Sequence, residues 1–323
     1  MTVRPFELRD MLILNRYRDQ GIFLDTIPTL TWGRVLIPMG AMLSPLSDTT
    51  GVITSLAFED GDRRNPLVGQ VAHIRNLPFA RFSFLAPESA IESTALPALL
   101  ENLVQRVGER QARSLVAEVE ESTYTFEALR KAGFSIYSRQ RIWKITSVPK
   151  MDRGETPWRR PKSEDEFAIH ALYNNLVPAL VQQVEPPYWD DKSGYVFYQE
   201  GELLAFVDVV SGPRGIWLQP FFHPETDQVA ERLIDLLHIL KPSAKRPVYI
   251  GLRSHASWLE ASLENLDVEV GPRQAVMVKR LAAGVKEFKT APLPEIAAAS
   301  TPKATMPYTK PYLQHEKEFL LRQ

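Results

Sequence analysis

The sequence predicts an α+β protein, a mixed β-sheet flanked by helices, built twice in tandem. Segments dense in branched and aromatic residues alternate with segments of helical period. Their order also repeats along the chain. A constant offset of 134 residues lays Phe82 and Phe84 on Ile216 and Leu218, and Leu99, Leu100 and Leu103 on Leu233, Ile234 and Leu237. It lays Leu115 and Val116 on Tyr249 and Ile250, Leu129 on Leu263, and Arg139-Gln140 on Arg273-Gln274, all without a gap. Matches in this order at one spacing are the signature of a duplication.

The first unit opens with a strand over 3–8 and a helix over 9–20. The stretch 21–50 is rich in Pro, Gly, Ser and Thr, has no period, and reads as loop. Strands follow at 51–58, 67–74 and 81–85, where β-formers cluster. Leu96, Leu99, Leu100, Leu103 and Val107 share one face of a helix over 95–110. Pro97 has no N–H to donate and so belongs in its first turn. A strand at 114–120, a helix at 123–131 stopped by Gly133, and a strand or hairpin at 135–145 close the unit.

The second unit repeats this order. A strand at 158–162 and a helix at 164–184 precede a hairpin, 194–199 and 202–210, turning on Glu200-Gly201. Strand 215–220, helix 227–240 stopped by Pro242, strand 248–253, helix 256–265 and a closing strand 268–280 complete it. The predicted domains are therefore 1–147 and 163–283, with 148–162 as linker and first strand of the second. Residues 284–323 are rich in Pro and Ala and are predicted to be a disordered tail.

Composition excludes several function classes. The chain has 323 residues and no cysteine, which removes disulfides, thiol nucleophiles and thiolate zinc sites. The histidines show no paired spacing, so no metal is expected. The net charge of −1 gives no basic excess for nucleic acid or an anionic membrane. That neutrality is a cancellation: residues 163–283 alone carry −7, which favours a cationic or amine-bearing partner. The longest uncharged apolar stretch, 35–47, contains Pro38 and Pro45 and falls short of the roughly 20 residues that span a bilayer. With no basic and apolar leader at Met1, a cytoplasmic location is expected.

Three local patterns carry a family resemblance. Glu127-Ala128-Leu129-Arg130-Lys131-Ala132-Gly133-Phe134 ends a helix on Gly-Phe before the last strand. Phe222-His223-Pro224-Glu225 makes a corner between a strand and the helix carrying Leu233-Ile234. Gly201-Glu202-Leu203-Leu204-Ala205-Phe206 leads out of a hairpin. With the element order, these resemble the tandem GNAT acyltransferases (N-acetyltransferase-like). The resemblance implies acetyl-coenzyme A or another acyl-coenzyme A as co-substrate, held where two parallel strands splay, with its pyrophosphate on the start of the next helix. It implies acyl transfer to a small amine or a protein amine. In unit one the coenzyme-binding positions would be Phe84, Leu85 and Ala86 at the strand end and Ser93, Thr94 and Ala95 at the helix start.

The sequence departs from the family pattern at both phosphate loops. Unit one has Pro87-Glu88-Ser89-Ala90-Ile91-Glu92 there and unit two Glu225-Thr226-Asp227-Gln228, without glycine and with carboxylates that compete for the helix dipole. The usual tyrosine is replaced by Leu129 and Leu263. Unit one keeps the longer loop and the milder charge, and is the better placed of the two for the coenzyme.

Glu118 and Glu120 alternate on one face of strand 114–120 and are the candidate general bases, against the alternative of a solvated strand edge. Trp217, Phe221 and Phe222 cluster at a strand end and are a candidate apolar wall, or core. His73, Asp208 and His223 could orient an amine or simply be satisfied polar groups. Two functions remain: a divergent acyltransferase, or a catalytically silent scaffold that engages a protein partner, with the tail 284–323 as a docking segment.

Overall fold

In the computed structural model, residues 1–34, 51–59, 62–148, 156–187, 194–264, 266 and 268–281 are described. The predicted tail 284–323 lies outside them, as do residues 149–155 of the linker. The strands are β1 (Thr2–Pro5), β2 (Ile22–Phe23), β3 (Val52–Glu59), β4 (Asp62–Ala72), β5 (Phe79–Ala86), β6 (Ser114–Glu120) and β7 (Ser135–Ile145), then β8 (Tyr195–Gln199), β9 (Glu202–Ser211), β10 (Ile216–Phe222), β11 (Val248–Arg253), β12 (Val268–Val270) and β13 (Gln274–Arg280). The helices are α1 (Met11–Arg16), α2 (Thr26–Thr31), α3 (Leu96–Glu109), α4 (Tyr124–Lys131), α5 (Glu166–Leu176), α6 (Ala179–Val184), α7 (Val229–Leu240) and α8 (Glu260–Glu264).

All thirteen strands among the described residues join one sheet, in the order β1-β3-β4-β5-β6-β13-β7-β11-β10-β9-β8, with β2 added on β5 and β12 on β7. Each lobe contributes one parallel pair. These are β5 with β6, from Phe79↔Ser114 to Arg81↔Val116, and β10 with β11, from Ile216↔Val248 to Leu218↔Ile250. At the centre the closing strands are exchanged. The last strand of lobe two, β13, pairs with β6 of lobe one, and the last strand of lobe one, β7, pairs with β11 of lobe two.

The helical faces read from sequence bury as expected. Leu99, Leu100 and Leu103 of α3 are at most 1% exposed, and α3 lies so close to β4 that a Cβ on Gly69 would meet Leu103 at 2.8 Å. Leu233, Leu236 and Leu237 of α7 cover the same face of lobe two, with Leu263 beside them. A third cluster occupies the other face: Val177, Val181 and Val184 at the end of α5 and along α6 pack on Phe79, Val116, Val276 and Val278 of the central strands. Helices of one lobe thus cover strands of the other, and α2 likewise lies against β9 and β10.

A second mark of the duplication escapes the 134-residue offset. Arg4 holds Asp10 by two bonds of 2.6 Å, and Arg159 holds Asp165 by bonds of 2.6 and 2.7 Å. In each case the aspartate also accepts the backbone N–H three residues before it, at 2.8 Å. The spacing between these two clamps is longer than 134 because the segments between clamp and sheet differ in the two lobes.

Several predicted boundaries change. The helix expected over 164–184 divides into α5 and α6, because Pro178 cannot donate and starts a new helix. The closing strand expected over 268–280 divides at Gly271-Pro272-Arg273 for the same reason. The strand expected at 158–162 is a single bridge, Arg159↔Val196. The stretch read as loop over 21–50 contains β2 and α2 in its described part.

Candidate functional site

In lobe one, β5 and β6 part after Arg81 and Val116. The chain itself fills the wedge. Ile22 and Phe23 pair with Leu85 and Phe84, the Leu24 N–H donates to Ser83 O at 3.0 Å, and the Glu118 N–H donates to Leu24 O at 2.8 Å. The backbones of Phe84 and Leu85 are therefore engaged by β2, and Ala86 is buried and paired with Val68. At the start of α3, Ser93 Oγ donates to Glu59 Oε1 at 2.6 Å and the Thr94 N–H donates to the same oxygen at 3.2 Å, while the Ala95 N–H donates to Ser93 Oγ at 3.0 Å. A carboxylate of this chain sits where the dipole and open N–H groups of a helix start favour an anion.

In lobe two, β10 and β11 part after Leu218 and Ile250, and the Gln219 side chain crosses the opening to donate to Gly251 O at 3.0 Å. Trp217 lies directly on Gly251, where no Cβ could fit. Phe221 stacks on Phe206 at 6.1 Å and meets Tyr173 edge-on at 5.5 Å. Phe222 turns to the opposite face and packs on Trp158 at 5.9 Å in the α7 core. The predicted aromatic wall is thus divided, with Trp217 and Phe221 on one face of β10 and Phe222 on the other. The corner before α7 is fixed by Thr226 Oγ1, which donates to Leu204 O and His223 O, and by the Glu225 N–H donating to His223 Nδ1 at 3.3 Å. Gln228, the residue preceding α7, makes no side-chain cap and has φ 53°.

Between the two openings the structure assembles a buried cluster of charge. Arg81 of β5 donates to Glu185, just after α6, at 2.7 Å, and to Glu118 of β6 at 3.3 Å. Arg253, the last residue of β11, donates to Glu185 Oε2 at 3.0 Å and lies 3.7 Å from Glu118. Asp25, immediately before α2, stands 3.9 Å from Arg81. Glu118 Oε2 accepts the Thr26 N–H at 3.0 Å. Three carboxylates thus face two guanidinium groups across the lobe boundary, in surroundings where an unbalanced charge is costly.

This arrangement separates the carboxyl groups. Burial works against ionisation of Glu118, but Arg81, Arg253 and the Thr26 bond outweigh it and its pKa is lowered. Burial pushes the Asp25 carboxyl up to about 7; Arg81 opposes this and Glu118 and Glu185 reinforce it. Burial raises the Tyr137 hydroxyl well above its ordinary value, and lowers the His255 imidazole to about 4, with Arg253 acting in the same direction. Asp25 Oδ1, Tyr137 Oη, Arg253 Nη1 and His255 Nδ1 are buried atoms with no hydrogen-bond partner among the described residues.

Of the two carboxylates predicted as bases, Glu118 belongs to this cluster and Glu120 is exposed at the end of β6. His73 is bonded to Leu77 O at 2.9 Å, and Asp208 pairs with Gln219 across β9 and β10. Sequence reasoning missed Asp25, Arg81, Glu185 and Arg253. The available signal was a charged residue inside a strand of otherwise buried character, as in Phe79-Ala80-Arg81-Phe82 and Ile250-Gly251-Leu252-Arg253. Among the described residues no group of His, Asp and Glu is arranged to hold a metal ion. None of the described helices is long and apolar enough to cross a membrane.

No protein-family model matches the sequence, and no curated protein matches it either. Solved structures do match the fold. One is a GCN5-related N-acetyltransferase from Sphaerobacter thermophilus, 11% identical, with a TM-score of 0.54 over 87% of this chain and 95% of that one. Another is a tandem GNAT protein from the clavulanic acid biosynthesis pathway, 15% identical, with a TM-score of 0.50 over 87% of this chain and 98% of that one. The chain has the GNAT fold, in two lobes, as the local patterns at Gly133-Phe134 and His223-Pro224 led us to expect.

Proposed function

On this two-lobed GNAT fold, we propose an acyltransferase that takes acyl-coenzyme A in lobe two and passes the acyl group to an amine. One contrast carries the reading. The wedge of lobe one is filled by backbone, Ile22 to Leu24, and its helix start by Glu59, whereas a side chain, Gln219, spans the wedge of lobe two. A side chain can rotate away in favour of a ligand; a bonded strand must be unzipped, at about 1 kcal/mol net for each of its backbone bonds. The proposed coenzyme site therefore moves from Phe84, Leu85, Ala86, Ser93, Thr94 and Ala95 to the β10–β11 opening, with Trp217 and Phe221 on the face where Phe221 meets Tyr173 and Phe206. The acidic surface of the second half suits an amine co-substrate.

Calorimetric titration with acetyl-coenzyme A tests this directly. One molecule bound per chain is expected, retained in Gln219→Ala; no binding at millimolar ligand overturns the reading. Glu225 and Asp227 beside the start of α7 favour a second reading, a silent scaffold, because they oppose a pyrophosphate there. An absence of binding would leave that reading standing.

A further inference from the structure

We propose that Asp25, supplied by lobe one, is the general base that takes the proton from the acceptor amine at the opening of lobe two. The inference rests on the acyl-transfer reading above. Its first support is the state of the other carboxylates. Glu185 is held on both oxygens, by Arg81 at 2.7 Å and Arg253 at 3.0 Å. Glu118 is held by Arg81 on one oxygen and by the Thr26 N–H on the other. Asp25 is 5% exposed; the Ile27 N–H donates to its carboxylate, but its Oδ1 accepts no hydrogen bond among the described residues, and its nearest cation there is Arg81 at 3.9 Å.

The second support is charge. With Asp25 ionised, the cluster holds one carboxylate more than Arg81 and Arg253 balance. The groups facing it from the other packed elements, Tyr137 of β7 and His255 after β11, bring no further positive charge near neutral pH. A bound ammonium would supply that charge and find an oxygen ready to accept. Unpartnered donors on Arg253 Nη1 and Tyr137 Oη remain for an oxygen of the reacting partners. A cluster built for stability alone would carry asparagine at position 25; an unbalanced buried acid is the kind of cost that function maintains.

The third support is position. Helix α2 lies along β10, with Thr31 O accepting the Arg214 N–H at 2.9 Å near the start of that strand. The cluster that includes Asp25 also contains Arg253, at the end of β11 where β10 and β11 diverge. In the step proposed, the ammonium gives one proton to the Asp25 carboxylate. The freed lone pair forms the C–N bond as the thioester C–S bond breaks. The second N–H proton goes to the departing sulfur to give the coenzyme thiol, and Asp25 returns its proton to solvent. The carboxyl, raised by burial to about 7, is poised for such a transfer near neutral pH.

Asp25→Asn is compared with the full wild-type chain, using acetyl-coenzyme A with propylamine, alaninamide and spermidine as probes and thiol release as the readout. Expected is a loss of 100-fold or more in kcat, a KM for acetyl-coenzyme A unchanged within twofold, loss of the rise in rate through pH 7, and a Tm equal to or above wild type. Wild-type turnover with an unchanged rate and pH profile in Asp25→Asn overturns the role of Asp25 alone. A slower variant with a lower Tm assigns Asp25 to the fold and overturns it too. Wild-type binding of acetyl-coenzyme A without thiol release for any probe overturns the base, and failure to bind acetyl-coenzyme A overturns the acyl-transfer reading itself. Stability supplies a readout independent of turnover: wild type is expected to lose Tm between about pH 4 and pH 7 relative to Asp25→Asn, and parallel curves count against the proposal.

Discussion

Gln140 of β7 and Gln274 of β13, equivalent residues of the duplicated sequence, donate and accept directly across the centre of the sheet at 2.8 Å. Equivalent positions meet in this way only where an approximate two-fold axis passes between them. Gln274 Oε1 also accepts from Thr26 Oγ1 at 3.3 Å. Gln274→Ala strands both donors and should cost about 1–3 kcal/mol. Gln140→Ala/Gln274→Ala should cost less than the sum of the single changes, measured by chemical denaturation.

Glu185 accepts hydrogen bonds from an arginine of each lobe, Arg81 and Arg253. Glu185→Ala leaves Arg81 and Arg253 competing for Glu118 in a buried setting, an unpairing that typically costs about 3–5 kcal/mol. Thermal melts should show the loss, and Glu185→Gln should fall between the two.

Gly251 has no room for a side chain, because Trp217 rests on it. Gly251→Ala must displace one of the largest fully buried residues of lobe two. The expected destabilisation is about 1–3 kcal/mol or more, with altered tryptophan fluorescence. Gly108→Ala, where nothing lies within 4 Å, is the control and should be neutral or slightly stabilising.

The two lobes carry acid-sensitive clamps of the same sign. Arg159, with Tyr198 and the Lys162 N–H, holds Asp165 far below the usual carboxylate range, and Asp10 is lowered by Arg4 and the Glu7 N–H against the opposing effect of burial. Such groups stabilise above their unfolded pKa of about 4 and lose that contribution as pH falls through the folded value. Asp165→Asn should therefore flatten the acid limb of a stability profile between pH 4 and pH 2.

The repeat, the helical faces of α3 and α7, and the order of elements along the chain were legible because each is written in local periodicity, as at Leu96, Leu99, Leu103 and Val107. The exchange of β7 and β13 was not, since nothing in Ser135–Ile145 says which neighbour it takes. β2 was missed because two residues show no period, and its role comes from the gap it fills. Glu118 was singled out as a strand carboxylate, while the residues it meets, Arg81, Glu185 and Arg253, come from distant segments and carry no shared spacing. Asp25 was hidden in a stretch read as loop.

The exchanged strands also impose an order in time. β6 receives its second neighbour from β13, whose residues lie about 160 positions further along the chain than their partners. A ribosome that has completed lobe one has still to make that strand, so the edge of Ser114–Glu120 that β13 takes stays open until Gln274–Arg280 has been made. Closure of such distant pairings is slow, and an uncovered edge invites pairing with another chain. The join that unites the lobes in the finished molecule is, during synthesis, a seam left open.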